Sequence, residues 1–86
     1  MISVEYAPKF LRQLKKLEPN LREQALEKIA LFKVRSNHAQ LKVHKLHGDL
    51  AECWGFSINY NCRIIFEYLS GNEVAFLSID DHDIYR

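Results

Sequence analysis

The feature that most constrains this chain is a change of repeat partway along it. After Pro8, the residues Phe10, Leu11, Leu14 and Leu17 stand at helical spacing, and after Pro19, Leu21, Ala25, Ile29 and Phe32 make a second stripe of the same period. Beyond Gly48 the period falls to two, with Trp54, Phe56, Ile58 and Tyr60 alternating with Cys53, Gly55, Ser57 and Asn59. A repeat near 3.6 leaves one buried stripe on a helix, and a repeat of two leaves one buried face on a strand. Helices therefore precede a sheet. Both prolines suit the first turn of a helix, where no N–H is needed, and Pro19 ends the helix before it.

The remaining segments complete this order. Ile2, Val4 and Tyr6 alternate with Ser3 and Glu5, which predicts a short strand ahead of the helices. Asn59-Tyr60-Asn61 and Ser70-Gly71-Asn72 carry turn chemistry and bracket a strand through Ile64, Ile65 and Phe66 to Leu69, followed by one from Val74 to Ile79. Strands joined by tight turns form an antiparallel meander. From Ser36 to Gly48 the pattern lapses, and this basic, His-rich stretch reads as a long surface connection. The expected architecture is α+β in the order β-α-α-β-β-β, a helical hairpin packed on an antiparallel sheet.

Eighty-six residues can bury one core, so residues 1–86 are expected to form a single domain. No apolar run exceeds four residues and no signal-like N-terminus is present, which predicts a cytoplasmic protein without a membrane partner. Cys53 and Cys62 have no metal-binding or disulfide-framework spacing, so reduced cysteines are expected. The net charge of +1 hides an asymmetry. Residues 1–50 hold ten Lys/Arg against five Asp/Glu, a net of +5, and residues 51–86 hold two against six, a net of −4. A basic face in the first half can attract a polyanion, because charge acts locally in salt. Solvated lysines on helix surfaces would give the same count.

The candidate chemistry lies in three places. The ending Ser78-Ile79-Asp80-Asp81-His82-Asp83-Ile84-Tyr85-Arg86 places an imidazole, a phenol and a guanidinium behind the last strand. Those are the groups a phosphodiester reaction needs: a proton carrier near neutrality, a second donor and a fixed cation. A frayed polar tail is the bland alternative. Arg63, alone among basic residues between Lys45 and Arg86, stands in a half-buried strand and must pair, either with Glu52 or Glu67 or with a phosphate. His44 and His47, with Lys42 and Lys45 beside them, suit contact with a phosphate better than a metal, because no further ligand follows at zinc spacing. Neither a metal nor a cofactor is expected.

The order of elements together with Leu41-Lys42-Val43-His44-Lys45-Leu46-His47-Gly48-Asp49-Leu50, the stretch from Trp54 to Phe66 and the ending His82-Asp83-Ile84-Tyr85-Arg86 resembles the RelE/ParE superfamily of type II toxins, in its RelE/YafQ-like mRNA interferase branch. The resemblance implies a toxin that cleaves mRNA, on or off the ribosome, without a metal, and that is silenced by a cognate antitoxin protein. It implies contact with operator DNA only through the antitoxin complex. On the matching positions, Arg63 is the strand arginine that stabilises the transition-state phosphate, His82 the C-terminal acid or base, and Tyr85 the C-terminal tyrosine. His44 matches a loop histidine of the YafQ-like site, and Lys42, Lys45 and Arg86 are the further substrate-binding candidates. Where YafQ-like members carry a strand histidine and an aspartate, this chain has Ser57 and Asn61, which removes two proton-transfer groups. Two other outcomes fit the same fold: a ParE-like inhibitor of gyrase, and a catalytically silent antitoxin-binding module.

Overall fold

The computed structural model describes residues 1–48 and 52–81. The elements are β1 (Ser3–Tyr6), α1 (Pro8–Lys16), α2 (Pro19–Phe32), a 3-10 turn at Arg35–Asn37, β2 (His44–Lys45), β3 (Trp54–Ser57), β4 (Cys62–Ser70) and β5 (Glu73–Asp81). They form an α+β fold with one five-stranded sheet ordered β1-β5-β4-β3-β2. The meander β3-β4-β5 is antiparallel as expected, but β1 runs parallel to β5, so the sheet is mixed. The helical pair between β1 and the rest is the crossover that makes a parallel neighbour possible. No helix among the described residues is long and apolar enough to cross a membrane.

The two prolines act as expected, each in the first turn of its helix. The joint between the helices is held by charged side chains that the periodicity leaves unassigned. The Glu18 carboxylate accepts from the backbone N–H groups of Asn20 and Leu21 and so caps α2, while Arg22 donates to the carbonyls of Leu14, Lys15 and Leu17 at the end of α1. Leu11, expected on the buried stripe, is 43% exposed. The stripe narrows to Phe10, which is buried, with Leu14 and Leu17 packed beside it.

All five phenylalanines are fully buried in one core between the helices and one face of the sheet. Phe32, at the end of α2, is the hub: it stacks on Phe56 at 4.8 Å and meets Phe66 at 4.9 Å and Phe76 at 5.3 Å edge-on. The segment after α2 is not the surface connection that its composition suggests. Leu41 and Leu46 are buried, His38 stacks on Phe32 at 4.5 Å and bonds its carbonyl, and His44–Lys45 pair with β3. Lysine and histidine can flank such buried leucines because their heads remain in water. Tyr60 also departs from the expected alternation: β3 ends at Ser57, and Tyr60 stands on the hairpin turn, 95% exposed.

One irregularity in β5 decides where its polar residues go. Ile65 pairs with Ser78 and Phe66 with Phe76, which leaves Leu77 as an extra residue. Strict alternation from Val74 and Phe76 would turn Asp80 into the core. The bulge at Leu77 resets the alternation, so Ile79 joins the core opposite Ile64 and Asp80 emerges on the other face. At this point β1 has ended, since its register stops at Tyr6 opposite Phe76. Gln13 of α1 takes its place, donating to the Ile79 carbonyl at 3.1 Å and accepting from the Ile79 N–H at 2.7 Å. Gln13→Ala should therefore cost about 1–3 kcal/mol, the penalty for two partly buried backbone groups left without partners. Urea unfolding followed by circular dichroism checks this; an unchanged midpoint would mean that water replaces the amide without loss.

Candidate active face

The core occupies one face of the sheet, and the pairing register assigns the polar candidates to the other. Ser57, Arg63 and Asp80 are direct cross-strand partners on β3, β4 and β5, so their side chains form one row. The adjacent row runs from His44 through Gly55 and Ile65 to Ser78. Leu46 lies over Gly55, with Cδ2 3.3 Å from where a β-carbon would stand, and both Leu46 and Ile65 are buried. This second face thus combines a small aliphatic cover with a row of polar groups. Lys45 pairs with Trp54, whose ring belongs to the core side, so Lys45 does not share this face.

Arg63 pairs with Asp80, not with Glu52 or Glu67. Its Nε donates to Asp80 Oδ2 at 2.9 Å, in a pair that water still reaches. Glu67 shares the face but lies four residues along the same strand, whereas Asp80 is directly opposite. Among the described residues neither Nη of Arg63 donates a hydrogen bond, which leaves that edge of the guanidinium available to a second anion. Ser57 stands beside it, on the β3 side.

His44 is exposed, and its Nδ1 lies 2.7 Å from the Lys42 carbonyl oxygen. A carbonyl can only accept, so Nδ1 carries a proton, and in the neutral ring Nε2 then holds the lone pair. The Lys42 carbonyl is aimed by an uncommon backbone: Lys42 has φ +60°, a left-handed conformation that costs a non-glycine residue about 1 kcal/mol. His47 and Lys42 are also exposed, and Asn61 is half-buried at the β3–β4 turn, where its N–H donates to Asn59 Oδ1. No group of three His, Cys, Asp or Glu side chains that could hold a metal exists among the described residues. His82, Tyr85 and Arg86 lie outside the described residues. Asp80 and Asp81, expected beyond the last strand, are part of β5 itself.

Known structures share this fold, although no protein-family model and no curated protein sequence matches the chain. The toxin–antitoxin complex RelBE2 of Mycobacterium tuberculosis superposes with a TM-score of 0.70 over 93% of this chain and 96% of the other, at 18% identity. The YoeB–YefM complex of Staphylococcus aureus gives 0.72 over 95% and 98%, at 15% identity. The DinJ–YafQ toxin–antitoxin complex of E. coli gives 0.71 over 96% and 94%, at 15% identity. The chain has the RelE/YafQ-like toxin fold. Coverage of more than nine-tenths on both sides means that the likeness extends over nearly the whole of each chain, and the resemblance to the RelE/YafQ-like fold read from the sequence holds for the architecture.

Within that fold Arg63 and His44 share one face of the sheet, and the sequence reading missed Asp80 as the partner of Arg63. The signal was present. Ser70 and Glu73 face each other across the turn, and seven residues from each lie Arg63 and Asp80. The extra residue at Leu69 on β4 and that at Leu77 on β5 cancel, so counting outward from Ser70-Gly71-Asn72 gives the right pair.

Proposed function

We propose that this chain, as one domain over residues 1–86, is the toxin of a toxin–antitoxin system and acts in the cytoplasm as a metal-independent endoribonuclease on mRNA. The observation that carries the reading is Arg63: a guanidinium held through Nε by Asp80 on the sheet face away from the helices, with its Nη edge uncommitted among the described residues. In the reaction the substrate 2′-OH attacks the adjacent phosphorus, the bond to the 5′-oxygen breaks, and a 2′,3′-cyclic phosphate and a 5′-OH remain. The 2′-OH makes the reaction specific to RNA. Arg63, joined by Arg86, balances the charge that develops on the phosphorane, and His82 transfers a proton as acid or base. Tyr85 orients the phosphate or stacks on a base. His44, with Nδ1–H tied to the Lys42 carbonyl, presents Nε2 as a further acceptor in the neutral ring, and Lys42 contacts the RNA strand, whereas Lys45 stands on the other side of the sheet and does not join this site.

The antitoxin partner follows from charge. Lys9, Arg12, Lys15 and Lys16 are exposed along α1, so an acidic, partly disordered segment is expected to fold against the basic first half of the chain. Association should be faster at low salt. Stopped-flow rates that stay constant between about 50 and 500 mM salt would exclude electrostatic guidance. Operator DNA is bound only by the antitoxin complex.

Induced expression without an antitoxin tests the functional reading. Growth and translation should stop with DNA supercoiling unchanged and with new mRNA ends visible by primer extension. Gyrase-linked DNA breaks with intact mRNA would instead make the chain a gyrase inhibitor, and normal growth would leave an antitoxin-binding module.

A further inference from the structure

A cleft of about 320 Å³ opens at the end of the sheet, between α2, residues 40–42 and the β3–β4 hairpin. Its floor is apolar, from buried Leu41 and Ile58, and its walls carry Lys28, Gln40 and Lys42. No acidic residue lines it among the described residues. At its mouth stands Tyr60, 95% exposed on a turn that Asn59 rigidifies by accepting the N–H groups of Asn61 and Cys62 at 2.9 and 3.0 Å. The Asn59 amide also approaches Gln24 Oε1 of α2 at 3.5 Å, so the hairpin stands beside the helix that carries Lys28. Lys42 reaches its place through the left-handed backbone described above. A left-handed lysine backbone and two cations facing one cleft, with no acidic residue beside them among the described residues, are together unfavourable for stability alone, and such features gather at binding sites.

We infer that this cleft holds the RNA nucleotide next to the bond that is cut, with its phosphate between Lys28 and Lys42 and its base stacked on Tyr60. Position supports this, in an inference that rests on the ribonuclease reading. Ser57 lines the cleft and is the direct cross-strand neighbour of Arg63, so the strand that borders the cleft is adjacent to the one that carries the guanidinium, with the β-carbons of Ser57 and Arg63 about 5 Å apart. The components match single-stranded nucleic acid, for which lysines follow the backbone and an exposed ring offers a platform to any base. The Gln40 amide supplies both a donor and an acceptor for a base edge. The sheet edge adds no competing anion, since β2 contributes only His44 and Lys45.

Fluorescence anisotropy with a single-stranded RNA ten-mer, 2′-O-methylated throughout so that it cannot be cut, tests the inference across a salt series. Lys28→Gln and Lys42→Gln should each flatten the dependence of log affinity on log salt by about 0.7, the value for one phosphate contact on a single strand. Tyr60→Ala should weaken binding about 5- to 150-fold with the slope unchanged, and Tyr60→Phe should restore it. Lys15→Gln, the same charge removed from α1, should leave the slope as it was. Equal effects of Lys15→Gln and Lys28→Gln, or unchanged affinity in Tyr60→Ala with an unchanged urea midpoint, would overturn the assignment. Cleft variants that lose binding while the parent chain cuts no unmodified RNA would contradict the ribonuclease reading and leave the cleft as an RNA site.

Discussion

Arg63→Ala is expected to lower RNA cleavage by about 10²–10³-fold, the loss associated with one preorganised charge-stabilising donor. The fold should survive at a cost of about 1–3 kcal/mol, because Asp80 loses its partner while only 14% exposed but water can still reach the pair from the Arg63 side. Arg63→Lys should recover little, since an ammonium cannot hold Asp80 through one nitrogen and offer a planar edge to phosphate with the others. His82→Gln keeps size and polarity but cannot exchange a proton near neutrality, and should cost about 10²–10⁴-fold. Tyr85→Phe separates stacking from hydrogen bonding: a small loss assigns the ring, a large one the hydroxyl. Cleavage rates of a labelled RNA with each purified variant, together with their urea midpoints, check the series. Full activity in refolded Arg63→Ala would reduce Arg63 to a salt-bridge residue.

Phe32→Ala should produce the largest loss of stability, about 3–5 kcal/mol, as for other buried phenylalanines truncated in a core. A small domain has little more than this in total. The side chain stacks between Phe56 and His38 and meets Phe66 and Phe76 edge-on, so four rings lose a partner and none can move into the space without leaving another. The effect should reach the candidate site, because the Phe32 carbonyl holds His38 at 2.8 Å and His38 in turn accepts the Val43 N–H on its carbonyl, one residue before His44. Urea unfolding by circular dichroism measures the loss, and a cost near that of a surface substitution would show that the ring cluster repacks.

These expectations show which parts of the molecule the sequence makes legible. Helices and meander are readable because each buries a stripe or face with a simple period, and the prolines mark the helix starts. The stretch from Ser36 to Gly48 is not, since its two buried leucines stand five apart among lysines and histidines, at neither period. Tyr60 misleads for the opposite reason: it continues an alternation after the strand has turned. The role of Gln13 belongs to tertiary structure, because only the early end of β1 leaves Ile79 without a strand neighbour on that side of β5. Arg63 was legible as a cation in need of an anion, and its partner only from the register of β4 and β5.

The most direct test of the ribonuclease reading is the chemistry of the RNA ends that the purified chain produces in the presence of a metal chelator. Cleavage by the 2′-OH predicts 2′,3′-cyclic phosphate and 5′-OH ends that disappear with Arg63→Ala. RNA left intact both free and on ribosomes, or cut to 3′-OH and 5′-phosphate ends, would contradict it.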